Sequence, residues 1–141
     1  MTCETDLQVS WRTRPGGFVA LMGLYESNYL RLQLLVGELQ SLRGASHSRL
    51  PDDCELQLQV IEHARYTSEL RLTYLLPGID GHATQLERLP DLRLRAYHDA
   101  RLLEAAPELP GPEREVRQCW RRNMMLNKWL EYCAERGHRF S

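Results

Sequence analysis

The chain has 141 residues, of which 43% are hydrophobic and 26% charged, and its 18 basic and 19 acidic side chains give a formal net charge of −1. This composition excludes a disordered chain and a globally basic nucleic-acid binder. A membrane-spanning protein is also excluded, because the apolar run Phe18–Tyr25 stops at Glu26, well short of the roughly 20 residues that cross a bilayer. We expect one domain over residues 1–141, with residues 1–14 as an N-terminal tail.

The first predicted element is an amphipathic helix from about Phe18 to Leu42. Pro15 suits its first turn and Gly44 suits its end. Residues 44–53 are rich in Gly, Ser, Pro and Asp and are predicted to form a loop. The apolar residues of the helix recur with a period near 3.6, which places on one stripe Phe18, Leu21, Met22, Tyr25, Tyr29, Leu32, Val36 and Leu39.

Four strands are predicted next, arranged as two antiparallel hairpins. Apolar and polar residues alternate from Cys54 to Val60 and from Glu69 to Leu76, which is the period of a half-buried strand. The third strand is predicted over residues 92–97 and the fourth over residues 101–105. Proline and glycine make the segments 77–90 and 107–112 poor strands, so we expect the first to be irregular or a short helix and the second to end the sheet.

A long helix closes the chain. Pro112 suits its first turn and Arg136-Gly137 its end, which frames about 25 residues. The order helix, hairpin, hairpin, helix predicts an α+β domain, in which an N-terminal and a C-terminal helix cover an antiparallel sheet of about four strands. The inward stripe of this helix is predicted to contain Val116, Cys119, Asn123, Leu126, Leu130 and Cys133.

The cysteines indicate a reducing compartment. Cys3, Cys54, Cys119 and Cys133 form no CxxC pair and show no Cys/His spacing of a zinc site. On one helix, Cys119 and Cys133 would lie about 21 Å apart, too far for a disulfide. We therefore expect reduced, buried cysteines in a cytoplasmic protein that uses no metal and no other cofactor.

Four polar residues occupy positions where the periodicity predicts apolar ones. They are Asn28 on the first helix, Asn123 on the last helix, Glu62 at the end of the first strand and His98 at the end of the third. A buried polar group without a partner costs several kcal/mol, so each must find another polar group, water or a ligand. Two interpretations stay open. The four residues line one polar cavity, or Glu62 and His98 emerge into solvent while each asparagine satisfies loop backbone.

Two further motifs complete the candidate site. Arg65-Tyr66-Thr67 at the hairpin offers a guanidinium and hydroxyls to an anion, or it is an ordinary surface turn. Asp99 cannot simply orient His98, because neighbours on a strand point to opposite faces. We assign no catalytic and no metal-ligating residue. The candidate ligand-binding residues are Asn28, Glu62, Arg65, Tyr66, Tyr97, His98 and Asn123.

A row of arginines at helical spacing lies on the last helix. Arg114, Arg117 and Arg121 could follow the phosphates of a nucleic acid. Glu113 and Glu115 lie beside them and the rest of the chain is neutral, so a solvated helix face is the favoured interpretation. We therefore expect no nucleic-acid partner and no membrane partner.

Short motifs in a fixed order along the chain carry a family resemblance. They are Leu24-Tyr25-Glu26-Ser27-Asn28-Tyr29, Val60-Ile61-Glu62 followed by Arg65-Tyr66-Thr67, Tyr97-His98-Asp99-Ala100, and Trp129-Leu130 with Tyr132-Cys133. From about Met22 to Gly137 the chain resembles the YqiB-like family, a group of small uncharacterised proteobacterial proteins. The resemblance implies no activity. Its motifs contain or adjoin the polar residues that the periodicity singled out.

The sequence therefore favours a non-enzymatic protein-binding or adaptor domain in the cytoplasm, because no catalytic constellation is recognisable. The alternative is a small-molecule or nucleotide-binding protein, with hydrolysis as one outcome, whose polar site comprises Glu62, Arg65, Tyr97 and His98. The residues do not identify the protein partner or the oligomeric state.

Overall fold

The computed structural model of the chain describes residues 17–51, 53–77, 86–106 and 116–140. The predicted tail at residues 1–14 and the segments 78–85 and 107–115 lie outside this part of the chain. The elements are helix α1 at Phe18–Val36, strands β1 at Ala45–Ser48, β2 at Glu55–His63, β3 at Thr67–Pro77, β4 at Leu86–Tyr97 and β5 at Leu102–Ala105, and helix α2 at Val116–Arg136. Two helices and an antiparallel sheet confirm the predicted α+β class.

Helix α1 ends earlier than the sequence predicts. Gly37 follows Val36 with a φ of 83°, which a glycine adopts without the steric penalty of a side chain. A continuous helix to Leu42 is therefore wrong, and a separate 3-10 turn occupies Leu39–Ser41. The buried stripe of α1 starts at Ala20, so Phe18 in the first turn is 72% exposed rather than inward-facing.

The sheet has five strands in the order β1-β2-β3-β4-β5, so each strand pairs with its neighbour in the chain. The sequence predicts about four, because β1 lies in the segment that was expected to be a loop. The residues of β1 show no apolar alternation, and their strand conformation depends on pairing with β2. Strand β4 begins inside the segment 77–90 that was expected to be irregular, because its pairing with β3 continues to Pro77 and Leu86.

A β-bulge near the end of β2 reverses the alternation of its side chains. The register shifts between Val60 and Glu62, so Glu62 lies opposite Glu69, and His63 lies opposite Ser68. One extra residue moves every later side chain to the other face of the strand. The predicted apolar-side position of Glu62 is therefore wrong. Glu62 is exposed, and His63 takes the side that faces the core.

Both helices pack against one face of the sheet and run parallel to each other. Asn127 Nδ2 donates to Ser27 Oγ at 3.0 Å, and Arg31 lies 3.8 Å from Glu131 one turn further along. Burying a leucine side chain contributes about 1.5–3 kcal/mol, so the leucines between the layers dominate the core. Those exposed by 1% or less are Leu24, Leu32, Leu39, Leu56, Leu58, Leu70, Leu72, Leu94, Leu103, Leu126 and Leu130. No described helix is both long enough and apolar enough to cross a membrane.

The opposite side of the sheet, which we call the open face, carries the polar half of the predicted alternation. Its side chains on the three central strands include Gln59, Glu69, Arg71, Arg93 and Arg95. These side chains are exposed or half-buried, whereas their sequence neighbours Leu70 and Leu94 are 1% exposed and face the helices.

Candidate functional site

A groove of about 450 Å³ lies on the open face across the three central strands. Gln59 and Ile61 of β2, Arg71 of β3, and Asp91 and Arg93 of β4 line it. The register places Gln59 opposite Arg71, and Arg71 opposite Arg93. The three side chains therefore form one row, in which Arg71 lies between the amide of Gln59 and the guanidinium of Arg93. Neighbouring strands are about 4.8 Å apart, so these donors form one continuous set across the groove.

Arg71 is held by a carboxylate next to this row. Its Nε and Nη2 donate to the two oxygens of Asp91 at 2.8 and 2.6 Å, which is the bidentate geometry that suits a guanidinium. The hydroxyl of Thr73 also donates to Asp91 at 3.1 Å. The hydrogen bonds that Arg71 donates to Asp91 raise the pKa of Arg71, so its side chain stays protonated.

Arg93 and Arg95 share one carboxylate, that of Glu69. Arg95 donates to Glu69 at 3.0 Å, whereas Arg93 lies 3.6 Å from the other oxygen, which is longer than a hydrogen bond. The Arg93 side chain is 49% exposed. Arg93 thus presents donors to solvent that Glu69 does not satisfy, and among the described residues Glu62 and Glu104 add two further carboxylates to the same face.

Two of the sequence-predicted site residues lie on this same face but outside the groove lining. The hydroxyl of Tyr97 donates to Glu104 at 2.6 Å. Glu62 is exposed after the bulge in β2. Arg95 precedes Tyr97 by two residues on β4, so Tyr97 lies beside the arginines of the open face.

His98 lies on the helix side of the sheet and is 7% exposed. Its Nε2 lies 2.9 Å from the hydroxyl of Ser68, and that hydroxyl lies 2.9 Å from Nδ1 of His63. Burial and the nearby His63 lower the pKa of His98. The structure therefore joins His98 to His63 and Ser68 rather than to Glu62. The sequence did not predict the pairing of His98 with His63, because the bulge in β2 reverses the side-chain alternation before His63.

Asn28 and Asn123 close the free edge of β5. Asn123 Oδ1 accepts the backbone N–H of Ala105 at 2.7 Å, and Asn28 Nδ2 donates to the carbonyl of Leu103 at 3.3 Å. The two side chains also contact each other at 3.3 Å. Both asparagines are 0% exposed, and Asn127 donates to Asn28 at 3.0 Å. Their polar groups are therefore satisfied by backbone and by one another.

Arg65 and Tyr66 are exposed at the turn between β2 and β3. The guanidinium of Arg65 lies over the ring of Tyr66, 5.2 Å from its centre, and the Arg65 carbonyl accepts a hydrogen bond from Gln40. The seven candidate residues are thus distributed over the open face, the turn, the core side of the sheet and the β5 edge. They do not line one cavity.

A Ser–His–Asp set, which sequence reasoning did not single out, lies where the C-terminal residues meet β1. Ser48 Oγ lies 2.9 Å from Nδ1 of His138, and Nε2 of His138 lies 3.2 Å from Asp53. A serine nucleophile needs access to its substrate, but Ser48 is 4% and His138 1% exposed. The backbone N–H of Arg139 also donates to the Ser48 hydroxyl at 3.0 Å. This cluster therefore fastens the end of α2 to the sheet edge.

The described residues contain no group of three or more His, Cys, Asp or Glu side chains arranged to hold a metal ion. Among known families, the model of one described as "Protein of unknown function (DUF1249)" matches residues 31–139, which is more than half of the chain. No curated protein and no solved structure matches the chain.

Proposed function

Because the chain belongs to the DUF1249 family, whose description assigns no activity, we propose its function from its own side chains: a non-enzymatic protein-binding domain. Its open face receives an acidic, extended segment of a partner protein. The carboxylates of that segment pair with Arg93 and with Arg71, which lies opposite it on β3. The domain acts by binding alone.

The observation that supports this proposal is the pair of arginines directly opposite each other on β3 and β4. Like charges at opposed positions of an antiparallel pair destabilise a sheet. Asp91 neutralises Arg71, but Glu69 is divided between Arg93 and Arg95. A carboxylate from outside the chain, placed beside Arg93, relieves this repulsion and gains a charge-assisted hydrogen bond.

The shape and lining of the groove favour a protein segment over a small molecule. Small-molecule sites are concave and lined mainly by apolar and aromatic groups. In this groove four of the five lining residues are charged or carry an amide, and only Ile61 is apolar. An extended peptide presents every second side chain to the same surface, at about 6.6 Å spacing, so successive carboxylates can reach more than one arginine.

The cellular setting is part of the same proposal. The free thiols of Cys54, Cys119 and Cys133 suit a cytoplasmic protein. The motif Tyr97-His98-Asp99-Ala100 supports a finer placement of the chain among the YqiB-like proteins of proteobacteria.

The test is binding of fluorescein-labelled hexaglutamate, followed by fluorescence anisotropy. We expect saturable binding that weakens at least about tenfold when salt rises from about 0.05 to about 0.5 M, because exposed charges are screened. Arg93→Glu should abolish binding, and Arg93→Gln should weaken it. Arg117→Glu on α2 makes the same charge change at an exposed position on the other side of the molecule, and it should leave binding unchanged.

Three outcomes contradict the proposal. Equal losses in the Arg93 and Arg117 variants mean that the peptide binds by net charge alone. If hexaglutamate does not bind at low salt, the partner is not an acidic segment. If citrate binds at the groove and the peptide does not, the ligand is a small organic anion rather than a protein segment.

A further inference from the structure

One buried polar group is left without a partner on the helix side of the sheet. Nδ1 of His98 is enclosed and makes no hydrogen bond within the described residues, although the side chain as a whole is more than nine-tenths buried. The other nitrogen, Nε2, bonds the hydroxyl of Ser68, which also bonds His63. We call His63, Ser68 and His98 the histidine cluster.

The hydroxyl of Ser68 limits which nitrogens of His63 and His98 can carry a proton while both hydrogen bonds are kept. Ser68 has one proton to donate, so one imidazole accepts it and the other donates an N–H to the oxygen. With His98 donating through Nε2, its Nδ1 is a bare lone pair. Protonation of His98 adds a hydrogen to Nδ1, which creates a buried N–H with no acceptor and an uncompensated buried charge.

The charges around His98 do not remove this penalty. The ring of His63 lies 6.0 Å from that of His98, so two protonated rings repel each other. Glu38, after α1, and Asp99, in the turn after β4, favour the cation, but neither forms a hydrogen bond to the ring. Burial and His63 outweigh both carboxylates and lower the pKa of His98.

The histidine cluster lies where three parts of the chain are fastened together. His63 ends β2, Ser68 follows the start of β3, and the backbone N–H of His98 donates to the Tyr66 carbonyl at 2.8 Å. Gln40 of the 3-10 turn donates to the Arg65 carbonyl at 3.2 Å. The turn between β2 and β3 is therefore held from both sides through contacts that surround the cluster.

We propose that the histidine cluster is an acid-sensitive fastening of the β2–β3 turn. Protonation of His98 at Nδ1 places a buried cation and an N–H without an acceptor in the closed state, so acidification favours an open state in which residues 63–68 separate from the turn after β4. Ile61 and Glu69 lie on the same two strand ends, so opening also displaces the margin of the groove. The fastening is a property of this chain whether or not an acidic peptide binds the open face.

Hydrogen–deuterium exchange at about pH 7.5 and about pH 5.5, corrected for intrinsic exchange rates, tests the proposal. In the wild type, opening of residues 63–68 should rise by up to about tenfold per pH unit between the ordinary pKa of histidine and the lower one of His98. Residues 126–133 of α2 should show no such change. His98→Gln keeps a group that bonds Ser68 but cannot titrate, and it should abolish the pH dependence.

A second measurement on the wild type alone keeps the proposal falsifiable if His98→Gln does not fold. The ring signal of His98, followed by NMR during a pH titration, should move at a pH below the ordinary histidine value of about 6.5. Titration at or above that value overturns the proposal. An equal rise in exchange over the whole molecule, or a pH dependence that persists in His98→Gln, also overturns it.

Discussion

The side-chain oxygen of Asn123 accepts the backbone N–H of Ala105 at 2.7 Å, and through this bond helix α2 closes the free edge of the sheet. An edge strand presents backbone donors and acceptors that invite pairing with other chains. Arg122 contributes in the same way by donating to the Ala105 carbonyl at 3.0 Å. The polar residue in the apolar stripe of α2 is thus explained by the backbone that it satisfies.

Replacing Asn123 with leucine tests this role. Asn123→Leu leaves the buried N–H of Ala105 without an acceptor, so we expect the free energy of unfolding to fall by about 1–3 kcal/mol. Gln118→Leu, an amide-to-leucine change at an exposed position on the same helix, should change it by less than about 0.5 kcal/mol. Urea unfolding of both variants is the measurement. An unchanged midpoint for Asn123→Leu would show that the edge bond adds nothing.

Two leucines on the two helices provide a matched test of the packing. Leu130 is 0% exposed between α2 and the sheet, whereas Leu34 on α1 is 73% exposed. Leu130→Ala should therefore destabilise the domain by about 2–5 kcal/mol, because it leaves a cavity. Leu34→Ala should have an effect below about 0.5 kcal/mol. Similar losses in the two variants would contradict the assignment of the core face.

Coupling energies between pairs of substitutions test whether His98 contacts Ser68, as in the structure, or Glu62, as in the cavity hypothesis. Ser68 contacts His98 directly, so Ser68→Ala and His98→Gln should couple by about 0.5–3 kcal/mol in a double-mutant cycle. Glu62 is on the opposite face, so Glu62→Gln and His98→Gln should be additive within about 0.5 kcal/mol. Denaturant melts of the six proteins give both energies. Coupling between Glu62 and His98 would restore the cavity hypothesis.

Asp53 predicts a defined pH dependence of stability. Burial raises its pKa, but hydrogen bonds from the Cys54 N–H, Arg136 and His138 outweigh burial, so the net pKa lies below its ordinary value of 3.8. A depressed carboxyl pKa stabilises the fold above the ordinary value, and this stability is lost as the pH falls through the lowered pKa. Asp53→Asn should therefore cost about 1–3 kcal/mol near pH 7.

The same difference between Asp53→Asn and wild type should shrink as the pH falls below the ordinary pKa, because the unfolded chain then binds a proton that the folded carboxylate does not, and it should be smallest below the lowered pKa of the folded protein, where the wild-type carboxyl is also neutral. Thermal or urea unfolding at several pH values measures it. A difference that stays constant down to about pH 2 would show that lost packing, rather than lost charge, explains the variant.

The periodicity of the sequence predicts both helices, although α1 ends at Val36 rather than Leu42, and it predicts the faces of the central strands except after the bulge in β2. Leu126 and Leu130 are buried as predicted, and Arg71 and Arg93 point away from the core as their alternation indicates. Strand β1 could not be predicted, because its four residues lack an apolar alternation and take their conformation from a partner strand.

The candidate site was less accessible to sequence reasoning, for two physical reasons. The bulge after Val60 reverses the side-chain alternation, so Glu62 and His63 exchange faces relative to the simple period. The opposition of Arg71 and Arg93 depends on strand register, which the period of either strand alone does not contain. The buried asparagines were recognised as unusual, but their backbone partners on β5 only appear once the helices are docked.

The central claim is that an acidic segment binds the open face, and an NMR titration locates that binding directly. Uniformly labelled protein is titrated with unlabelled hexaglutamate, and the backbone amide signals are followed. We predict shifts at Gln59, Arg71 and Arg93, with the signals of Leu126 and Leu130 on α2 unchanged. Shifts confined to the helices, or no shifts at a peptide concentration that saturates the anisotropy signal, would contradict the account.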